Sequence, residues 1–285
     1  MRMNIEKKHQ SLLVKAVLLA LSVGAIAFLT SSLALGITIV AMILFHESGH
    51  IFAAKQLGIG TRGIYMLPFL GGIALIESMG ASRKDECYIS LMGPIFGLIF
   101  SVGLVGLGLV TGIYSFANFG CFTALINLFN LLPINPLDGG RVFKSICFSI
   151  HRCVGLAAML VGVGLSIFLA ANYGIYVLYF VAFIGMQDFF RELNDNSYLA
   201  NMSLWSILVY SISTFLIIAF LLITFSVGAV SAKKINAAYE REMQSKAIRT
   251  AACAVGDAAV YYSIYRLVES CDSEANNNND EILVF

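Results

Sequence analysis

Seven apolar stretches, at residues 11–30, 34–56, 88–112, 115–134, 153–171, 173–190 and 203–230, take up most of this chain of 285 residues. Most are near the ~20 residues that a helix needs to cross the hydrocarbon of a bilayer. With 59% hydrophobic and only 12% charged residues, the composition is far from that of a soluble domain. It predicts an all-α polytopic membrane protein of six or seven transmembrane helices, the count depending on the short stretch at 173–190. The first stretch follows a charged start, Met1 to Lys8, but runs on into the second without a small-residue cleavage site. It is therefore expected to stay as a helix rather than be removed as a signal peptide.

Lysine and arginine orient these helices. With the N-terminus inside, the loops at 30–33, 112–115 and 171–174 face outward and hold no Lys or Arg, whereas Arg62, Arg83, Lys84, Arg141, Lys144, Arg152 and Arg191 all fall inside. The expected place is the cell (inner) membrane. Seven spans put the tail outside, although Lys233, Lys234, Arg241, Lys246 and Arg249 favour inside; an outside tail makes Cys253 and Cys271 a candidate disulfide pair. The other cysteines lie in or near apolar segments and read as small hydrophobes. A net charge of +1, with no basic patch carrying interleaved aromatics, excludes a nucleic-acid surface.

Four regions follow: an N-terminal segment and first helix at 1–33, a core at 34–145, further helices at 146–230, and a polar tail at 231–285 whose Asn-rich end reads as disordered. In the loop at 57–87, two short apolar runs flank Pro68 to Gly72 and predict a β-hairpin or re-entrant segment at the membrane surface. A loop packed on neighbouring helices fits that pattern equally. Gly93, Gly97 and Ser101 stand at four-residue steps in the third span, a spacing that lets helix backbones pack closely.

Chemistry enters with His46-Glu47-Ser48-Gly49-His50, written inside an apolar run. A four-residue step puts two imidazoles on one helix face, where they can grip one Zn²⁺, and Glu47 is placed to take a proton from a water at the metal's open position. Polar groups are costly in hydrocarbon unless they are used, yet the run alone also reads as a buried helix with satisfied core histidines. A second run, Asn127 to Arg141, breaks an apolar helix at Pro133 and Pro136 and ends on Asp138-Gly139-Gly140. Broken backbone at membrane depth is tolerated where it lines a watery cavity. Asp138 would complete a His₂-carboxylate set with a fourth position left open, and Gly139 and Gly140 are expected to let the backbone turn sharply beside the metal. Alone, this second run also reads as a helix end with a Pro/Gly turn.

Together the two runs resemble the site-2 protease family, the intramembrane zinc metalloproteases (peptidase family M50). The resemblance is carried by His46-Glu47-Ser48-Gly49-His50, by Asn130, Pro133, Leu137, Asp138 and Gly139, by Pro68 to Gly72, and by Met92-Gly93-Pro94, over residues 34–145. It implies that His46, His50 and Asp138 are zinc ligands and Glu47 the general base. It further implies that Asn130 hydrogen-bonds the substrate backbone, and that the hairpin with Gly71 and Gly72 holds the substrate as an added strand. The implied substrate is a transmembrane segment of another protein, cut toward the cytoplasmic side of the bilayer. Two positions depart from the pattern: family members often have Asn shortly after Gly-Pro, where this chain has Ile95, Phe96 and Gly97, and Asn135 stands where Pro is common. A regulatory domain of PDZ or CBS type is not expected in this length, so control is left to the tail, a regulatory membrane partner, or prior trimming of the substrate.

Three rival readings stay open. A metal transporter predicts more polar residues along the later helices, where Asn172 and Asp188 are the main candidates. A catalytically silent relative would bind clients without cutting them. Another membrane zinc protease with the same His-Glu motif would want a downstream glutamate ligand such as Glu77 or Glu192.

Overall fold

The computed structural model describes residues 2–67, 71–77, 80, 82–194 and 199–255. Among the described residues, eight helices and one two-stranded sheet run in the order α1 (Arg2–Thr30), α2 (Leu33–Gln56), β1 (Thr61–Leu67), β2 (Gly71–Ile76), α3 (Arg83–Thr111), α4 (Tyr114–Asn130), α5 (Asp138–Ile150), α6 (Arg152–Tyr173), α7 (Val177–Asn194) and α8 (Leu204–Val255). Residues 1–231 form one compact unit and 232–285 a second.

Five of these helices, α1, α2, α3, α6 and α8, are long and apolar enough to cross a membrane. The expected count of six or seven is therefore not met on length and composition alone. Helix α4 has 17 residues, short of a full span, because it stops at the broken segment. Helix α7 carries Asp188, Arg191 and Glu192 in its last turns.

Local signals set the helix ends. The Ser32 side chain accepts from Leu35 N at the start of α2, satisfying one of the N–H groups that a helix start leaves unpaired. Ser82 and Asp85 form a reciprocal capping box on α3. After α2 the chain reverses through Gly58 at φ +72°, where the N–H groups of Leu57, Gly58 and Ile59 bond back to Ala53, Lys55 and Ala54. That left-handed residue is cheap only for glycine.

The hairpin expected between α2 and α3 is present. Strands β1 and β2 pair antiparallel, with Ile64 opposite Ala74 and Met66 opposite Gly72; its tip, Pro68 to Leu70, lies outside the described residues, as does the Asn-rich end of the tail. Strand β2 lies so close on α2 that a Cβ on Gly72 would stand 2.7 Å from Ile43 and 2.8 Å from Glu47.

The small-residue face of α3 packs as its spacing implies. A Cβ on Gly93 would fall 2.3 Å from the His50 ring, and one on Gly97 would fall 1.9 Å from the Asn127 amide. Gly139 and Gly140 correct the expectation of a sharp turn: both lie within the first turn of α5. They are small because the preceding loop folds back on them, so that a Cβ at either would stand 2.1 Å from the backbone of Leu131 or Ile134.

A group of charges, with Arg83 and Glu86 buried and Lys144 and Glu192 partly so, joins α3, α5 and α7. Lys144 Nζ lies 2.9 Å from Glu86 and 3.1 Å from Glu192, and Arg83 lies 3.2 Å from each of the same two carboxylates. Ser145 donates to Glu86, and the Arg83 guanidinium sits 4.5 Å over the Phe148 ring. Two cations and two carboxylates balance in charge, which makes their burial tolerable.

Candidate metal centre

Helix α2 presents His46 and His50 one turn apart, both buried, with their ring centroids 4.9 Å from each other. His46 stands 13 residues beyond Leu33 on α2, about 20 Å along the axis at 1.5 Å per residue. Asn130 stands 16 residues beyond Tyr114 on α4, about 24 Å along its own. The end of α4 thus reaches a similar distance along its helix, and the seven-residue loop from Leu131 to Leu137 returns the chain so that α5 begins on Asp138.

Three side chains meet there. His46 Nε2 is 3.0 Å from Asp138 Oδ2, His50 Nε2 is 3.5 Å from Asp138 Oδ1, and the two Nε2 atoms are 3.2 Å apart. The outer face of each ring fixes its tautomer. His50 Nδ1 lies 2.7 Å from the Ile89 carbonyl, which only accepts, so that Nδ1 carries the hydrogen. His46 Nδ1 lies 2.9 Å from Asn127 Oδ1. The Asn127 amide is oriented by its Nδ2, which donates to the Thr123 carbonyl at 2.8 Å, so His46 Nδ1 is likewise the donor.

In the neutral rings both Nε2 lone pairs therefore point at one another and at a carboxylate. Such a convergence calls for positive charge at its centre, and two imidazole nitrogens with one carboxylate oxygen are the donor set of a divalent cation such as Zn²⁺. The residues fit the metal.

Glu47 stands beside this set. One of its oxygens lies within 4.8 Å of the ligand atoms of His46 and His50, which makes it a geometric competitor to Asp138. Asp138 fits the ligand role better, because it approaches both imidazoles directly while Glu47 Oε2 accepts from Ala74 N of β2 at 2.9 Å. Asn130 Nδ2 stands 3.2 Å from His46 Nε2, at the rim of the same cluster, and Gly71 and Gly72 open the strand that flanks Glu47.

Other polar residues weighed from sequence lie elsewhere. Glu77 pairs with Arg62 in an exposed position, and Glu192 belongs to the charge group on α5 and α7. Asn172 bonds back to its own helix at Phe168; Asp188 is held by Asn135 and Arg191. Asn135, one of the two departures, thus ties the loop before Asp138 to α7. Sequence reasoning missed the parts of the site made by packing: the Asn127 amide, the Ile89 carbonyl, and the clearance that Gly93 gives both imidazoles. Asn127 carried a signal as a buried-type polar residue one turn before Asn130, and Gly93 as a small residue at helix-packing spacing.

Residues 34–121 match the model of peptidase family M50. The match covers 88 of the 285 residues. In this chain the matched stretch holds His46, Glu47 and His50 and ends before Asn130 and Asp138. It is similar to a zinc metalloprotease of Methanocaldococcus jannaschii, 28% identical over 109 residues that make up 36% of this chain and 31% of the relative. A putative zinc metalloprotease of Synechocystis is 33% identical over 115 residues, covering 39% of this chain and 30% of the relative. The stage IV sporulation protein FB of Bacillus subtilis is 28% identical over 122 residues, 42% of each chain. The chain spans less than half the length of each of these three relatives.

Proposed function

We propose that this protein is an intramembrane zinc metalloprotease of the site-2 type, which hydrolyses peptide bonds in or near transmembrane segments of other membrane proteins. The observation that carries the reading is the convergence of His46, His50 and Asp138 with Glu47 beside them, next to the edge of a β-strand. His46 Nε2, His50 Nε2 and an Asp138 oxygen would hold Zn²⁺, which when bound polarises a carbonyl and lowers the pKa of a water. Glu47 takes the proton of the attacking water and passes it to the leaving amine. Asn130 orients the substrate backbone with its amide.

Strand β2 positions the substrate. The Ala74 N–H points away from β1 toward Glu47, the direction an added strand would occupy. A substrate carbonyl taking over that donor would free Glu47 for the water. Extended binding suits the reaction, because a helix must be unwound before its backbone can be cut; substrates are expected to be single-span proteins with weak helical propensity near the cut. With the N-terminus inside the cell membrane, His46 and His50 lie toward the inner end of α2, which puts water entry on the cytoplasmic side. The transporter reading wants polar stations beyond this site, and Asn172 and Asp188 are committed to other partners.

The test is a pair of proteins, wild type and Glu47→Gln, each co-expressed with a tagged single-span membrane protein from the same cell. The near-isosteric amide is expected to keep bound zinc and the fold while cleavage falls by roughly 10²–10⁴-fold. Equal amounts of the shortened fragment from both proteins would refute Glu47 as the base.

A further inference from the structure

We propose that Asn127 is a positioning residue for His46, an inference that rests on the metal reading above, and that Gly97 is a glycine so that the Asn127 amide can lie where it does. Three observations carry it. First, Asn127 is 1% exposed, and its Oδ1 accepts from His46 Nδ1 at 2.9 Å. Second, its amide has one orientation only, because Nδ2 donates to Thr123 O at 2.8 Å and approaches Met42 Sδ at 3.3 Å. Third, a Cβ on residue 97 would overlap that amide, at 1.9 Å from Oδ1 and 2.4 Å from Cγ.

The consequence is chemical. An imidazole whose Nδ1–H is held by a fixed acceptor keeps its lone pair on Nε2 and becomes a better donor to a metal. His50 receives the same service from a backbone carbonyl, Ile89 O, which no side-chain substitution removes. His46 depends on a side chain from another helix, so the ligand set has one replaceable support, and it belongs to α4.

A positioning role and a packing role predict opposite orders for two substitutions. Asn127→Leu keeps the branched skeleton in a somewhat larger side chain and removes the acceptor; Asn127→Asp keeps an acceptor toward His46 Nδ1 but loses the bond to Thr123 and buries a carboxylate. The full-length purified protein is titrated with zinc against a chromophoric chelator, and the visible bands of the Co²⁺-loaded form are recorded. Zinc affinity is expected to fall by about 10–100-fold in Asn127→Leu, to stay within a few-fold of wild type in Asn127→Asp, and to fall in Gly97→Ala, with changed Co²⁺ bands in the two weakened variants.

Tight zinc in a folded Asn127→Leu, or a greater loss in Asn127→Asp than in Asn127→Leu, overturns the proposal while leaving the metal site intact. Should Asn127→Leu fail to fold, Gly97→Ala decides, and wild-type affinity in that variant overturns the proposal. A wild-type protein that takes up no zinc overturns the metal reading and this inference with it.

Discussion

Gly93 shows how a residue with no side chain can matter to a metal site. Its backbone passes so close to both imidazoles that an added methyl would sit 2.3 Å from His50 and 2.7 Å from His46 Nε2. Neither ring has room to withdraw, since each is held on its far side by Ile89 O or Asn127 Oδ1. Gly93→Ala is therefore expected to weaken zinc binding by at least the roughly 10–100-fold that loss of an outer support costs, and His50→Ala to abolish it. Metal content of the purified variants checks both; zinc retained at one per chain in His50→Ala would show that the ligands have been misassigned.

At the scale of elements, the charge group shared by α3, α5 and α7 holds the helix that starts on Asp138. Glu192 receives hydrogen bonds from Arg83 and Lys144. Burial works against its ionisation, but the Arg83 hydrogen bond and the Lys144 charge outweigh it and lower its pKa below the ordinary 4.5. A carboxylate with a lowered folded-state pKa adds stability that is fully present above its unfolded value and is lost as pH falls through the folded one. The protein in detergent is thus expected to lose stability progressively below pH 4.5, and Glu192→Gln to flatten that dependence. Glu192→Ala should cost toward the low end of the roughly 3–5 kcal/mol seen when one partner of a buried pair is removed, because Glu192 retains 21% exposure and Arg83 keeps Glu86. Denaturant unfolding across pH would read both; an Ala variant as stable as wild type would mean that the group adds nothing to holding α7.

For the whole molecule, the open matter is how the helices thread the bilayer. Five meet the length and composition of a span, while α4 and α7 are the two whose crossing decides on which side the tail falls. If both cross, the α6–α7 turn lies outside and the hairpin inside. A cysteine placed at Tyr176, which is exposed in that turn, should then react in intact cells with an impermeant maleimide, and one placed at Arg62 on β1 only after permeabilisation. Labelling of Arg62→Cys in intact cells would invert the orientation. Of the candidate disulfide pair in the tail, the Cys253 side chain and Cys271 lie outside the described residues.

His46, Glu47, His50 and Asp138 were legible in the sequence because their chemistry is local: a four-residue step fixes a helix face, and a carboxylate after a Pro-broken helix is expensive unless it is used. The apolar runs were legible for the same reason, since crossing hydrocarbon takes a set length of chain, and the hairpin showed as two short runs about a Pro/Gly turn. Long-range contacts left no such trace. That Asn127 on α4 supports His46 on α2, that Gly97 on α3 makes space for it, and that Gly139 and Gly140 serve close packing rather than a turn depend on which helices lie side by side. Sequence periodicity gives each helix a face but not a neighbour, and a glycine's reason is the atom that stands where its Cβ would be. Tertiary structure supplied those neighbours, and with them the difference between two histidines in an apolar run and a pair of imidazoles aimed at one point.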